Sequence, residues 1–86
     1  MDELPLPLLR ALVAVAETRS FSRAARALGI SQSTVSTHIL RLEQRVGATL
    51  IERTTRSVEP TAAAQRLLPI ARDILRLQRI ALSRLD

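Results

Sequence analysis

The sequence contains no cysteine and no lysine, one histidine, and a single aromatic residue, Phe21, among its 86 residues. Without cysteine there is no disulfide framework, thiolate zinc site or cysteine nucleophile, and one histidine excludes a histidine-rich metal site. There are no paired carboxylates and no glycine-rich phosphate loop, so no credible catalytic set can be assembled. The sequence therefore predicts a protein that is not an enzyme and that holds no metal or cofactor.

Long hydrophobic runs are also missing. No apolar stretch approaches the ~18–20 residues that a membrane-spanning helix needs. The chain starts with the acidic segment Met1-Asp2-Glu3, and no secretory pattern follows it. We therefore expect a cytoplasmic protein that is not inserted in a membrane.

The composition that remains is that of one small globular domain. Apolar residues make up 47% and charged residues 24% of the chain, close to the average for folded domains, so disorder is disfavoured. All 13 basic residues are arginine, and against 8 acidic residues they give a net charge of +5. Such a surplus favours a polyanionic partner, although it also serves solubility. Most of the surplus lies in residues 61–86, so charge alone does not locate a binding site.

Apolar spacing and capping residues predict three helices in the first half of the chain. Residues 8–18 carry apolar side chains over much of a helix circumference, which indicates packing against two neighbours. Ser20 and Ser31 are predicted N-caps of a second helix over 21–28 and a third helix ending near residue 45. Gly29 and Gly47 are predicted to end these helices. The short connection around Gly29 has the length found in a helix-turn-helix unit, although an ordinary helical corner satisfies the same spacing.

The pattern changes after Gly47. Short strands are predicted at Leu50–Ile51 and near Val58, with the polar run 53–57 as the tip of a hairpin. Thr61 is a candidate cap for a long final helix that continues to about Leu85. We therefore expect a mainly α fold, with three helices, a short β-hairpin and a long last helix.

The final helix carries two adjacent apolar stripes, more than one helix needs in order to dock on a small domain. The surplus apolar surface predicts a partner helix in a second copy of the chain. The side chains predicted to form this dimer interface are Leu67, Leu68, Ala71, Ile74, Leu75, Gln78, Leu82 and Leu85.

The outer face of the third helix suggests a function. It carries short or flexible hydrogen-bonding side chains without bulky apolar groups, which suits the donor and acceptor pattern of a DNA major groove. Gln32 can pair with adenine, hydroxyl groups can contact bases or phosphates, and Arg41 is better placed for a phosphate. Each polar residue taken alone is better explained as part of a solvated helix face, but their joint placement directly after the turn favours a DNA contact.

These residues resemble the DNA-binding domain of the LysR-type transcriptional regulators. The similarity runs through residues 13–64, VAVAETRSFSRAARALGISQSTVSTHILRLEQRVGATLIERTTRSVEPTAAA, and is most specific at Ser20-Phe21, Ser31-Gln32-Ser33 and Glu52-Arg53. Three positions depart from the family pattern: Ile51 replaces a usual Phe, Ser33 a common Pro and Ala64 a frequent Gly.

The resemblance implies a winged helix-turn-helix domain over residues 4–61, with its helix-turn-helix at about 21–45, followed by a dimerising linker helix over 62–86. It also implies a C-terminal effector-binding domain that this chain lacks, and a homodimer that binds an imperfect inverted repeat of double-stranded DNA. Carried over residue by residue, it assigns the third helix, the start of the second helix and the wing to DNA. The assigned residues are Gln32, Ser33, Thr34, Ser36, Thr37, His38 and Arg41 in the third helix; Ser20, Ser22 and Arg23 in the second; and Arg53, Thr54, Thr55 and Arg56 in the wing.

Several alternatives stay open at this point. The first alternative to DNA binding is a small helical interaction module whose polar third helix is merely solvated. The second is a membrane-surface peptide, suggested by the basic last helix, although helix packing explains its broad apolar stripes better. For Arg53, an ion pair with a carboxylate such as Glu43 deserves the same weight as a DNA contact. Phe21 is predicted to lie in the core, so recognition of single strands by ring stacking is disfavoured.

Overall fold

A computed structural model describes residues 3–85 and has the predicted order of elements. Three helices are followed by a two-stranded antiparallel hairpin and a long fourth helix. The elements are α1 (Leu6–Thr18), α2 (Phe21–Leu28), α3 (Gln32–Val46), β1 (Ile51–Arg53), β2 (Val58–Pro60) and α4 (Ala62–Arg84).

The predicted caps are confirmed at three helix starts. The side chains of Ser20, Ser31 and Thr61 each accept the backbone N–H three residues further along, at 3.1, 3.1 and 3.2 Å. Each bond satisfies an amide that has no partner within its own helix. Capping by short hydroxyl side chains therefore sets where α2, α3 and α4 begin.

The turn between α2 and α3 depends on Gly29. Its φ of +68° lies in the left-handed region, which glycine adopts without the penalty that a Cβ carries. The next amide, of Ile30, donates back to the carbonyl of Ala25 at 3.1 Å and closes the end of α2. Gly47, at φ +70°, ends α3 in the same way. The turn at Gly29 therefore fixes the angle at which α3 leaves α2.

The core lies around α1, which packs against α2, α3 and α4 as its broad apolar surface predicts. Phe21 is 5% exposed, so the prediction that it belongs to the core is confirmed. The largest side chains with almost no exposure are Leu9, Leu12, Val15, Val35, Leu42 and Leu50. This core holds α3 by one face and leaves its opposite face to solvent.

The hairpin is attached to the helices at its base. Strand β1 pairs with β2 in the register Ile51 to Pro60 and Arg53 to Val58. The carboxylate of Glu43, on α3, accepts the backbone N–H groups of Leu50 and Ile51 at 2.8 and 3.3 Å. The hairpin is therefore anchored to the helix whose outer face is the candidate site.

Helix α4 belongs partly to this domain and partly extends from it. Ala64, Leu68 and Ala71 are buried in the core of their own chain. The prediction that Leu68 and Ala71 lie at a dimer interface is therefore corrected, because both side chains are already covered within the chain. The apolar residues left exposed along α4 include Ile70 and Leu77, at 57% and 56%.

Candidate nucleic-acid interface

The first two turns of α3 present a polar face opposite the core. Val35 and Ile39 are buried, whereas Gln32, Ser33 and Thr37 are exposed. Thr34 and Ser36 are half-buried at the two edges of this face, and Arg41 is exposed one turn further along. Helical periodicity explains the division, since side chains three and four positions apart share a face.

The hydroxyl groups of this face are ordered by bonds to one another. The Ser31 hydroxyl lies 2.7 Å from that of Thr34 and 3.1 Å from that of Ser33. Thr37 donates its hydroxyl to the carbonyl of Ser33 at 3.0 Å. The Ser31 hydroxyl is saturated by its two hydroxyl contacts and the Thr34 amide, whereas the hydroxyls of Ser33 and Thr37 can accept a further partner. Within the described residues, the Gln32 side chain has no such internal bond, so its amide is free to bind a ligand.

His38 occupies a different position from the other predicted residues of α3. It is half-buried beside α1, in a small cavity of about 120 Å³ lined also by Pro7, Arg10, Leu28 and Ile30. Its Nδ1 atom is buried and has no hydrogen-bond partner. The structure therefore separates His38 from the face that carries Gln32, Ser33 and Thr37.

The start of α2 lies next to the hairpin. Ser20 and Ser22 share a hydrogen bond of 3.1 Å between their hydroxyls, and Ser22 and Arg23 are exposed. An open cleft of about 420 Å³ separates this helix start from the hairpin, and the side chain of Gln32 also lines it. The structure thus brings together residues from all three segments that were assigned to DNA.

The hairpin tip is fixed by its own hydrogen bonds. The Thr54 hydroxyl accepts hydrogen bonds from the backbone N–H groups of Arg56 and Ser57 at 3.1 and 3.0 Å. The backbone N–H of Thr54 donates to the carbonyl of Ser57 at 2.9 Å. Thr55 and Arg56 are exposed at the end of the loop. The tip is consequently an ordered projection that carries a cation.

Arg53 is held by an aromatic ring instead of a carboxylate. Its guanidinium lies over the Phe21 ring, 4.1 Å from the centroid. The alternative prediction of an ion pair between Arg53 and Glu43 is wrong, because Glu43 accepts the backbone amides at the base of the hairpin. Contact with a π face leaves the charge of Arg53 uncompensated by any anion.

The charges around the cleft favour an anion. Two of the three acidic side chains between residues 31 and 60 are engaged elsewhere, Glu43 at the strand amides and Glu59 in an ion pair with Arg19. Among residues 3–85, no ion pair involves Arg23, Arg53 or Arg56. These three cations therefore supply a positive border to the polar face of α3.

One residue of the outward face is missing from the sequence prediction. Leu40 is 55% exposed and lines a cleft together with the polar residues Ser36, Thr37, Glu43 and Arg53 and the apolar residues Ile39 and Ile51. The helical period already places it on this face, four positions after Ser36 and three after Thr37. The prediction considered only polar side chains there, so an exposed leucine gave no signal.

Metal and membrane features are not found in the part of the chain that the structure describes. Residues 3–85 contain no group of three or more metal-ligating side chains that could share an ion. None of the described helices combines the length and the apolar character that crossing a bilayer requires.

A family model described as "Bacterial regulatory helix-turn-helix protein, lysR family" matches residues 6–65. The chain is 44% identical over 77 residues to the putative HTH-type transcriptional regulator protein PtxE of Stutzerimonas stutzeri, covering 90% of this chain and 39% of that protein. It is 52% identical over 62 residues to the HTH-type transcriptional regulator PgrR of Escherichia coli, covering 72% and 21%. The chain thus corresponds to a minor part of these relatives' length.

Solved structures give the same assignment. The oxidized form of OxyR from Corynebacterium glutamicum superposes with a TM-score of 0.94 at 40% identity, covering 96% of this chain and 26% of that one. The DBD of CbnR in its complex with DNA superposes with a TM-score of 0.86 at 35% identity, covering 93% and 92%. The segment that the family model matches, residues 6–65, includes α1, the helix-turn-helix unit and the hairpin wing. The chain belongs to the lysR family of bacterial regulatory helix-turn-helix proteins.

Proposed function

We propose that this chain binds double-stranded DNA sequence-specifically, with α3 in the major groove and the hairpin wing at the minor groove. The observation that carries the proposal is the exposed polar face of α3, whose Gln32 lines one cleft together with the start of α2 and the wing. A helix with one free polar face fits the width of the major groove of B-form DNA. The cations at the start of α2 and on the wing suit phosphates of the DNA backbone.

The contacts divide into two classes. Gln32 is placed to pair with a base edge, most favourably adenine, and the hydroxyls of Ser33, Ser36 and Thr37 supply further donors and acceptors. Ser20, Ser22 and Arg23 would hold one phosphate strand, where the free amides at the start of α2 add a favourable dipole. The wing would contact DNA through Arg53, Thr54, Thr55 and Arg56. Arg56, at the tip of the wing, suits a narrow minor groove.

Thr34, His38 and Arg41 receive more peripheral roles. Thr34 is engaged with the cap hydroxyl of Ser31 and would contact DNA only at the edge of the face. His38, beside α1, would reach a phosphate more readily than a base. Arg41, three turns into α3, would contact the backbone.

The proposal is supported by a relative whose structure has been solved in complex with DNA. CbnR, to which the chain is 35% identical, has been solved with DNA as a DBD complex and as the full-length protein with its target DNA. The DBD is covered by this chain over 92% of its length, so the whole similarity falls on the DNA-complexed unit. Regulators, not enzymes, are the proteins to which the chain is similar, and we assign it no catalytic role.

The exposed apolar surface of α4 supports a homodimer. Ile70, Leu77 and Leu82 are more than half exposed. Leu67 and Ile74, one turn before and after Ile70, are partly buried against the core. Pairing this surface between two copies would remove it from water. A twofold dimer would place its two α3 helices at the half-sites of an imperfect inverted repeat, about 34–36 Å apart if these are separated by one helical turn.

The proposed binding uses only groups of the chain itself. We therefore expect that a chelator leaves the DNA affinity unchanged. As a bacterial DNA-binding regulator, the protein is expected to act in the cytoplasm, at the nucleoid.

Selection from a pool of random duplexes, at stated salt, tests the proposed function. The protein should enrich related duplexes that contain an imperfect inverted repeat, and a titration should show tighter binding to them than to scrambled duplexes. Affinity should fall as salt rises. Absence of enrichment together with absence of salt-sensitive duplex binding would contradict the proposal and return the chain to the class of interaction modules.

A further inference from the structure

Leu40 stands apart from the other exposed apolar residues of the protein. Its large apolar side chain is 55% exposed and lies within the outward face of α3, one turn beyond Ser36 and Thr37. Most of the other exposed large apolar residues belong to α4, where the surface proposed for dimerisation lies. Val46, also on α3, lies at its last position, beside the contact with α4.

The exposed side chains around Leu40 are mostly polar, although the buried residues Ile39 and Ile51 form part of the cleft that it lines. Ser36, Thr37 and Arg53 line the same cleft, and Arg41 follows in the chain. Exposed apolar area is disfavoured in water by about 25 cal/mol per Å². The side chain therefore gains free energy from any ligand that offers apolar surface at this point.

A DNA major groove presents one apolar group on its base edges, the 5-methyl group of thymine. Leu40 lies eight residues after Gln32, so the two are separated by about 12 Å along the helix axis. That distance corresponds to about three to four base pairs at 3.4 Å per pair. A leucine there would reach a base pair distinct from the one next to Gln32.

We propose that Leu40 is a specificity-determining residue that contacts the thymine methyl group within each half-site. The inference rests on the proposed function, since it places the outward face of α3 in the major groove. At this position a guanidinium would favour a phosphate or a guanine, and an amide would favour an adenine. Leu40 selects for a thymine, and it does so by apolar contact without a hydrogen bond.

Removal of single methyl groups from the DNA tests the proposal directly. Each thymine of a selected duplex is replaced in turn by uracil, which keeps the hydrogen-bonding edge and lacks only the methyl group. With the wild-type protein, replacement at one position in each half-site should lower the affinity about fourfold, as expected when one methyl group is no longer buried. The other thymines should show smaller changes.

Variants assign the effect to Leu40. Leu40→Asn, similar in size but polar, should bind the thymine duplex more weakly and show no loss on the uracil duplex. Leu40→Met should keep the preference for thymine, because its side chain is also apolar. Leu82→Asn is the matched control, since Leu82 is 60% exposed but lies on α4; it should keep the full thymine preference whatever it does to self-association.

Two results would overturn the proposal. One is a wild-type protein that is indifferent to uracil at every position, and the other is a Leu40→Asn variant with the same uracil penalty as the wild type. A Leu40→Asn variant that loses self-association without DNA and keeps its thymine preference would assign Leu40 to a protein interface. Preference for the selected duplex over a scrambled one is measured in the same titrations, so failure of the proposed function is recognised separately.

Discussion

The guanidinium of Arg53 lies over the Phe21 ring at 4.1 Å, and this contact joins the last residue of β1 to the first residue of α2. Phe21 is buried, so the ring itself is fixed by the core. A cation on a fixed aromatic face keeps its orientation without being neutralised. The contact therefore orients the base of the wing relative to the start of α2, the two segments proposed to hold phosphates.

Arg53→Gln should weaken binding to all duplexes by a similar factor and lower the magnitude of the salt slope, d log K/d log[salt], by about 0.9, the value for one lost phosphate contact. The reason is that a backbone contact positions the protein without distinguishing sequences. Titrations of selected and scrambled duplexes at several salt concentrations measure both quantities. Arg84→Gln, which removes the same charge at the end of α4, is the control and should leave the slope unchanged.

A double-mutant cycle tests whether Phe21 acts through Arg53. Phe21→Leu should lower DNA affinity in the wild-type background and have little further effect once Arg53 is Gln. Phe21→Tyr, which retains the aromatic face, should restore most of the affinity. Unfolding curves of each variant separate this effect from loss of core packing. Additive effects of the two changes would contradict a positioning role for the ring.

Gln32→Ala should weaken the selected duplex by about 1–3 kcal/mol and spare scrambled DNA, because a base contact discriminates between sequences whereas phosphate contacts do not. Competition titrations with the two duplexes give the specificity ratio. Gln65→Ala on α4 is a matched control, since Gln65 is exposed on a different helix. Equal losses on selected and scrambled DNA would assign Gln32 to the backbone.

Glu43→Ala should destabilise the domain by about 1–3 kcal/mol, because two part-buried amides, of Leu50 and Ile51, lose their acceptor. Glu43→Gln should cost less, since both amides bond a single oxygen of Glu43 and the Gln carbonyl oxygen, with two lone pairs, can accept the same bonds. The free energy of unfolding from urea titration provides the measurement. Glu52→Ala, at an exposed strand position, should change stability by no more than about 0.5 kcal/mol. A Glu43→Ala variant as stable as the wild type would show that the hairpin does not depend on this acceptor.

Leu77→Glu should shift the protein toward monomers, because it places a charge in the exposed apolar surface of α4. Sedimentation equilibrium over a range of concentrations measures the shift. Arg76→Glu, its neighbour on the charged side of the helix, is the control and should leave self-association largely unchanged. An identical association constant for Leu77→Glu and wild type would place the dimer contact elsewhere.

Local signals predicted most of the fold. Ser20, Ser31 and Thr61 cap their helices as expected, and Gly29 and Gly47 end them, because capping and left-handed turns depend on the residue itself and its near neighbours. The hairpin and its strand near Val58 are confirmed, but the first strand runs over Ile51–Arg53 instead of Leu50–Ile51, so Arg53 belongs to the strand and not to the tip.

The predictions that failed depend on contacts between distant segments. The apolar spacing of α4 does not reveal which stripe packs against α1, so Leu68 and Ala71 were assigned to an interface although they fill the core. In the same way, a carboxylate near an arginine suggested an ion pair, whereas Glu43 binds strand amides and Arg53 contacts Phe21. Only the tertiary arrangement decides between such partners.

Methylation protection on a selected duplex tests most directly whether α3 lies in the major groove. Dimethyl sulfate modifies guanine N7, which faces the major groove, and adenine N3, which faces the minor groove. With α3 in the major groove, the bound protein should protect guanine N7 in two patches, with centres about 10–10.5 base pairs apart if the half-sites are separated by one turn. Accessible N7 atoms throughout a duplex that the protein demonstrably occupies would contradict it.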